Sequence, residues 1–377
     1  MMDANKKKIL FVMQLPPPVH GVSVMNEIIR SSKIINEQIH CDYINLATTK
    51  DIKDLRKSAL YKYFVTLKIL FQVIFKLAGK RYDLVYITIF PFGFAFYKDA
   101  VMVMAAKLMR KKVLLHLHTY GFKKASEKSP FVKGIYRKVF KNTRVICLSD
   151  ALVEDVEKIY EGEVDVLPNG IPQVNFENTY HVNKNVPSLL YLSNLIKGKG
   201  ILLIIEAAAM LKSKGIAFKL RVAGAEGDVT YNMLQKLIDQ YALQDFVTLL
   251  GAKYGEEKLA EFKQADVFLL PSDYDTFGLV LLEAMQFGVP CIATAIGAIP
   301  DVIGDGRGLL LNNLKPEELA EKMEILIQSP DMRLKISGLG FNYFKSNFTV
   351  QVFEQRCLNV LLGKAEKVNK RLVKNKV

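Results

Sequence analysis

The chain has 377 residues, 50% of them apolar and 24% charged, which suits two medium domains with separate cores and argues against long disorder. Its net charge of +14 is uneven: the first 150 residues hold 27 Lys and Arg against 10 Asp and Glu, and the last 14 hold 6 against 1. Cys41, Cys147, Cys291 and Cys357 are far apart with no paired spacing, which disfavours a disulfide framework or a zinc site.

The apolar run 9–15 ends at Pro16-Pro17-Pro18 rather than at a small-residue cleavage site, so it reads as a first buried strand and not as a signal peptide. A loop then leads to a helix over 24–35, and Gly21 at its start would let backbone approach a phosphate closely. After a strand at 41–46, residues 58–80 are apolar and aromatic with lysines interleaved. That pattern fits a helix packed on its own sheet, or one lying on an anionic bilayer surface, and the basic charge of this half tips the reading towards the membrane. Lys62, Lys68 and Lys76 interrupt this stretch, and Pro91, Lys98 and Asp99 interrupt 85–106, so no membrane span is expected.

Strands follow at 84–89, 113–117, 144–148 and 164–167. His116 and His118 close the second of these runs on one sheet face, with no acid or third histidine placed to complete a metal site. Turn signals from Pro168 to Pro172 and a polar stretch beyond them place a linker at 171–186. The plan then repeats, with strands at 188–192, 219–223, 246–249, 267–270, 291–294 and 308–311 separated by helix-length segments, and a helical pattern at 348–362. Two such series imply an α/β chain of two Rossmann-like domains, with ligands beyond the carboxyl ends of the strands. No helix-turn-helix, zinc finger or RNA-binding signature accompanies the basic charge, so no nucleic-acid partner is expected.

The most informative segment is Pro271 to Pro290. A buried strand at 267–270 exits through Pro271 to Thr276 into a helix from Gly278 to Phe287, closed by Gly288 with Pro290 beyond. The amides of Gly278, Leu279 and Val280 at that helix start are candidate phosphate donors. Asp275 precedes the start and Glu283 lies roughly 7 Å along the helix from Gly278, so the two acids can accept hydroxyl hydrogen bonds on either side of a diphosphate.

This segment resembles the acidic donor-binding motif of the retaining glycosyltransferases of family 4, which have the GT-B fold: two Rossmann-like domains facing across a cleft, with a C-terminal helix returning to the first. The resemblance implies that Glu283 holds the ribose of a nucleotide sugar and Asp275 touches the transferred sugar, where the family usually has the longer glutamate. It implies that Lys199, in Lys197-Gly198-Lys199-Gly200, meets the donor diphosphate, with Asn194 standing where an arginine is usual. It further implies His118 as a donor-sugar contact, Gly21 as the first domain's phosphate loop and Gly251 as the loop that meets the base.

The expected organisation is an N-terminal acceptor and membrane-side domain at 1–170, a linker at 171–186, a nucleotide-sugar-binding domain at 187–347, a crossover helix at 348–363 and a basic tail at 364–377. The expected function is retaining transfer of a sugar from a nucleoside diphosphate sugar, UDP-sugar first and GDP-sugar next, to a lipid-linked or polysaccharide acceptor. The setting would be synthesis of lipopolysaccharide, capsule or exopolysaccharide at the cytoplasmic face of the membrane, without metal or other cofactor. A nucleotide-sugar epimerase of similar architecture and an inactive membrane scaffold are the alternatives.

Overall fold

The computed structural model describes residues 6–47, 59–174, 186–365, 367 and 368. The chain divides into two compact units, residues 1–170 with 350–377 and residues 171–349.

The first unit runs β1 (Lys7–Met13), α1 (Gly21–Ser31), α2 (Lys33–Gln38), β2 (Ile39–Asn45), α3 (Ala59–Gly79), β3 (Leu84–Thr88), α4 (Gly93–Leu108), β4 (Val113–His116), α5 (Phe122–Ser126), α6 (Pro130–Phe140), β5 (Arg144–Cys147) and β6 (Val164–Val166). The second runs β7 (Ser188–Leu192), α7 (Ile201–Ser213), β8 (Lys219–Ala223), α8 (Tyr231–Gln240), β9 (Val247–Gly251), α9 (Gly255–Lys263), β10 (Val267–Leu270), α10 (Leu279–Gln286), β11 (Cys291–Thr294), α11 (Ile299–Ile303), β12 (Leu309–Leu311), α12 (Pro316–Gln328) and α13 (Pro330–Asn347). The chain then rejoins the first unit as α14 (Val350–Leu362), which packs on α1 and α2, and β13 (Lys367–Val368).

The first sheet has the order β13-β6-β5-β4-β3-β1-β2 and the second β12-β11-β10-β7-β8-β9. All pairings are parallel except that of β13 with β6. Helices cover both faces of a parallel sheet, which is why central strands such as Ile9 to Met13 and Val267 to Leu270 are continuous apolar runs with essentially no exposure. All twelve strands read from the sequence are present. β13 is an addition, and the rest of the basic tail, 366 and 369–377, lies outside the described residues.

The helix expected over 24–35 is two helices. Ser32 leaves the helical region (φ −61°, ψ 118°), and its hydroxyl accepts from Ile35 N at 3.4 Å, so a good N-cap residue starts α2 afresh. Residues 175–185 of the linker lie outside the described residues; just before them, Val174 N donates to Gln286 Oε1 on α10 at 3.1 Å. α3 buries Ile69, Val73 and Leu77, a stripe at i, i+4 and i+8, and leaves Leu60, Phe64, Leu67, Phe71 and Phe75 exposed. Among the described residues no helix is long and apolar enough to cross a membrane.

Candidate functional site

In the second unit, the loops leaving β7, β10 and β11, three neighbours in the sheet, converge beyond the carboxyl ends of their strands. The loop after β7 lies against the loop after β10, with Asp273 N donating to Gly198 O at 2.9 Å. Gly200 makes that approach possible: it sits at φ +78°, and a Cβ there would run into the carbonyl oxygen of Pro271. The loop after β11 closes in similarly, since Ala298 N donates to Thr276 O at 2.8 Å and a Cβ on Gly297 would meet that oxygen at 2.6 Å.

These approaches bring together two residues 76 positions apart. Lys199 Nζ lies 2.8 Å from Asp275 Oδ2 and 3.4 Å from the carbonyl oxygen of Tyr274. The other carboxylate oxygen, Oδ1, accepts from Gly278 N at 2.8 Å and Phe277 N at 3.3 Å. One expectation is thereby corrected: the Gly278 amide is not a free phosphate donor, because Asp275 takes it. The cause is the short aspartate side chain, which folds back onto amides two and three residues ahead as an Asx turn. Leu279 and Val280 open α10 behind Gly278, itself in the left-handed region (φ +71°), and among the described residues their N–H groups have no acceptor. They point the positive end of the helix at whatever lies before it.

Glu283 follows on the same helix, and its Oε1 accepts from Lys258 Nζ of α9 at 2.6 Å. Lys258 was not singled out in the sequence; its ion pair with Glu283 across from α9 to α10 reveals it. Asn194, in the loop after β7, is exposed; its carbonyl accepts from the Tyr191 hydroxyl at 3.1 Å. Gly251 ends β9 at φ +77° beside a register shift at Val222/Ala223, and its carbonyl accepts from Gly224 N at 3.0 Å. Among the described residues no atom lies within 4 Å of a Cβ placed at Gly251, so its conformation rather than crowding favours glycine. Among the described residues no cluster of three His, Cys, Asp or Glu could hold a metal.

The first unit holds the remaining candidates. Gly21 is the first residue of α1, and the cap before it is His20, whose Nδ1 accepts from Ser23 N at 3.4 Å while Ser23 Oγ accepts from His20 N at 2.9 Å. His118 lies just past β4, buried, its ring 3.8 Å from that of His116 and tilted by 33°. His116 Nδ1 is 2.5 Å from the Tyr86 hydroxyl, whereas among the described residues neither ring nitrogen of His118 has a partner. Burial, with a smaller contribution from His20, pushes His118 down to about 3, so its ring is neutral. Two unpartnered nitrogens on a buried imidazole call for a ligand group or water. Near the same strand ends, a cavity of about 310 Å³ is lined by Gln14, His20, Thr88, Phe90 and the buried Lys98–Asp99 pair, among others. Gln14 Oε1 and Thr88 Oγ1 are also buried without partners among the described residues. His20 was missed in the sequence because a lone histidine after three prolines carries no pattern.

The fold of the chain is that of the GT-B glycosyltransferases. Residues 175–340 match the family model of glycosyl transferases group 1. The D-inositol 3-phosphate glycosyltransferase of Arthrobacter sp. (strain FB24) is 30% identical over 205 residues, covering 51% of this chain and 49% of that protein. The chain spans about half the length of the curated relatives it matches. Among solved structures, the lipopolysaccharide outer core galactosyltransferase WaaB in its apo form has a TM-score of 0.71 at 16% identity, over 95% of this chain and 99% of that one. HepE of Anabaena, solved in complex with UDP-glucose, has a TM-score of 0.67 at 17% identity, over 94% and 99%.

Proposed function

We propose that the protein is a retaining glycosyltransferase of family 4 that moves a sugar from a nucleoside diphosphate sugar to a lipid-linked or polysaccharide acceptor in cell-surface glycan synthesis. The carrying observation is the placement of Lys199, Asp275 and the open start of α10 within one loop cluster, with Glu283 further along the same helix. A cation beside unpaired helix amides suits a diphosphate, and carboxylates on either side suit the hydroxyls of a ribose and a sugar. The match to glycosyl transferases group 1 and the likeness to an enzyme solved with UDP-glucose support the same reading, with a UDP-sugar first and a GDP-sugar next.

In this reading Lys199 and the amides of Leu279 and Val280 receive the negative charge that grows on the diphosphate as the glycosidic bond to it breaks. Asp275 still has acceptor capacity: a carboxylate offers about four lone-pair sites, and the protein uses three. It takes a sugar hydroxyl, and Glu283 takes the ribose. Asn194 and Gly251 line the donor diphosphate and base. In the first unit, His118 and Gly21 are the residues for which the family resemblance implies donor contacts. The acceptor hydroxyl attacks on the face from which the diphosphate leaves. Its proton passes to the departing phosphate oxygen, so one C–O bond forms as one breaks, without metal.

The outward aromatic face of α3 and the basic first half support a place on an anionic membrane surface, at its cytoplasmic face, where a lipid-linked acceptor is presented. The test is incubation with UDP-, GDP- and ADP-sugars and lipid-linked acceptors. Nucleoside diphosphate release should equal new glycoside, with the anomeric configuration of the donor kept by NMR. Sugar conversion without acceptor would favour an epimerase, and binding of no nucleotide sugar would favour a scaffold.

A further inference from the structure

We infer that the first unit carries a site for an anionic membrane lipid, with a hydrocarbon chain in a groove between α3, α4 and α6 and the phosphate on a basic basin at the amino ends of the first sheet. This rests on the membrane reading above and adds a defined lipid to it.

The groove, about 660 Å³, is lined by Leu70 and Ile74 of α3, Val101, Met104 and Leu108 of α4 and Ile135 of α6, among others. Lys138 is the one charged residue of its lining, placed on the last turns of α6. The basin, about 1030 Å³, lies where β1, β3, β4 and β5 begin, and its lining includes Lys8, Arg81, Arg110, Lys111, Lys112 and Arg144 against a single acid, Asp83. The two share a rim: Leu108 and Met109 line the groove, and the next residues, Arg110 to Lys112, line the basin.

Helix ends alone do not account for this charge. α3, α4 and α6 finish nearby and each presents about half a negative charge, far less than the cations gathered there. One of those ends is already capped from outside the basin, by Lys107 Nζ on the carbonyl oxygens of Lys138 and Val139 at 2.9 and 2.7 Å. The basin's one acid, Asp83, accepts from Lys8 N at 2.8 Å, and Arg144 pairs with Asp165 outside the basin at 2.7 Å, which leaves Lys8, Arg81, Arg110, Lys111 and Lys112 among its cations. Lys7 within it is pushed down chiefly by burial and next by Arg144, with Asp83 opposing and Lys112 adding, and its Nζ donates to Leu361 O at 2.8 Å. Arg110 stands at φ +55°, where glycine or asparagine is the unstrained choice, and the corresponding turn after α6 does use Asn142, at φ +58°.

A nucleic acid would leave the groove empty, and an apolar peptide would leave the basin unmet; a lipid phosphate with its chain satisfies both. It is not the acceptor's reactive end, because substrates of such sheets bind at the carboxyl ends of the strands and this basin is at the amino ends. The adjoining face of α3, with Phe71 and Phe75 67% and 83% exposed, gives the chain a path from the bilayer.

The probes are dioctanoyl phosphatidylglycerol, dioctanoyl phosphatidylcholine and inorganic phosphate, titrated as monomers into the whole protein by calorimetry. The glycerol lipid should bind at least about tenfold more tightly than the choline lipid, in line with the pull of several cations on one anion. Inorganic phosphate should bind far more weakly than either. Arg110→Glu with Lys111→Glu should erase the preference between lipids, and Val101→Trp, at an exposed groove wall, should weaken both lipids with the unfolding midpoint kept. Equal binding of the two lipids by the wild type, phosphate binding as tight as the lipid, or indifference to both variants would each overturn the site. Sedimentation with phosphatidylglycerol vesicles tests the membrane reading separately. Absent vesicle binding with short-chain lipid still bound sinks that reading alone, and vesicle binding without lipid preference sinks this site alone.

Discussion

Lys199 Nζ and Asp275 Oδ2 are 2.8 Å apart, so the cation proposed to meet a diphosphate and the acid proposed to touch a sugar hold each other. Both side chains keep some exposure, 27% and 18%, and such partly solvated pairs are worth on the order of 1 kcal/mol or less. The pair is therefore easily traded for a doubly charged diphosphate. Lys199→Ala should lower affinity for a nucleoside diphosphate by about 1.5–3 kcal/mol, the worth of a hydrogen bond to a charged group, and leave nucleoside affinity unchanged. Calorimetry with both ligands checks this, and equal losses for the two would mean the lysine acts through folding.

Asp275→Asn should leave nucleoside diphosphate affinity near the wild-type value and depress turnover, because contacts that strengthen only in the transition state appear in rate rather than in binding. Asp275→Glu is informative in a different way. The aspartate's hold on Gly278 N depends on its short reach, so the longer side chain should lose that turn and cost turnover or change the sugar accepted. Wild-type rates in Asp275→Asn would remove the acid from the reacting sugar.

Lys258 holds Glu283 from the next helix, which predicts coupling. Glu283→Ala should weaken nucleotide binding by about 1.5–3 kcal/mol, and Lys258→Ala by less, since it removes a positioning partner and not the acceptor itself. The double variant should cost less than the sum of the two. Strict additivity in a double-mutant cycle would show that Lys258 does not position Glu283.

Burial holds His118 near 3, and His116 is also held well below its ordinary value by burial first and His118 second. Both folded values lie under the unfolded one, so between about pH 6.5 and 3 the unfolded chain binds more protons than the folded one. Stability is then full above about 6.5 and falls as pH drops below it, by about 1.4 kcal/mol per pH unit for each such group. Denaturant unfolding of His118→Asn between pH 4 and 7 should show a shallower slope than the wild type. An unchanged slope would mean that His118 is not neutral and buried.

With Lys199 and the start of α10 meeting the diphosphate charge as proposed, activity should survive EDTA. Loss of turnover with EDTA, restored by magnesium or manganese, would contradict a metal-free reaction.

Much of this was legible in the chain because central parallel strands such as β1 and β10 are continuous apolar runs. The helix start at Leu279 was legible for a similar reason, bracketed by Gly278 and Gly288. What the sequence hid is contact. Nothing local in Asp275 says that its carboxylate turns back onto Gly278 N, and nothing in Lys258 says that Glu283 lies beside it. Ser32 hid a break because a serine inside an apolar pattern reads as a tolerated helix residue until its hydroxyl is seen to cap Ile35. Both faces of α3 are apolar, and only packing separates the buried stripe of Ile69, Val73 and Leu77 from the outward aromatics.

The central claim is that the start of α10, with Lys199 and Glu283, binds a nucleoside diphosphate. Calorimetric titration of UDP, GDP and ADP into the wild type, Lys199→Ala and Glu283→Ala tests it most directly. One of the three nucleotides should bind the wild type, with affinity lost in both variants. No binding of any of them, or binding that neither substitution changes, would contradict it.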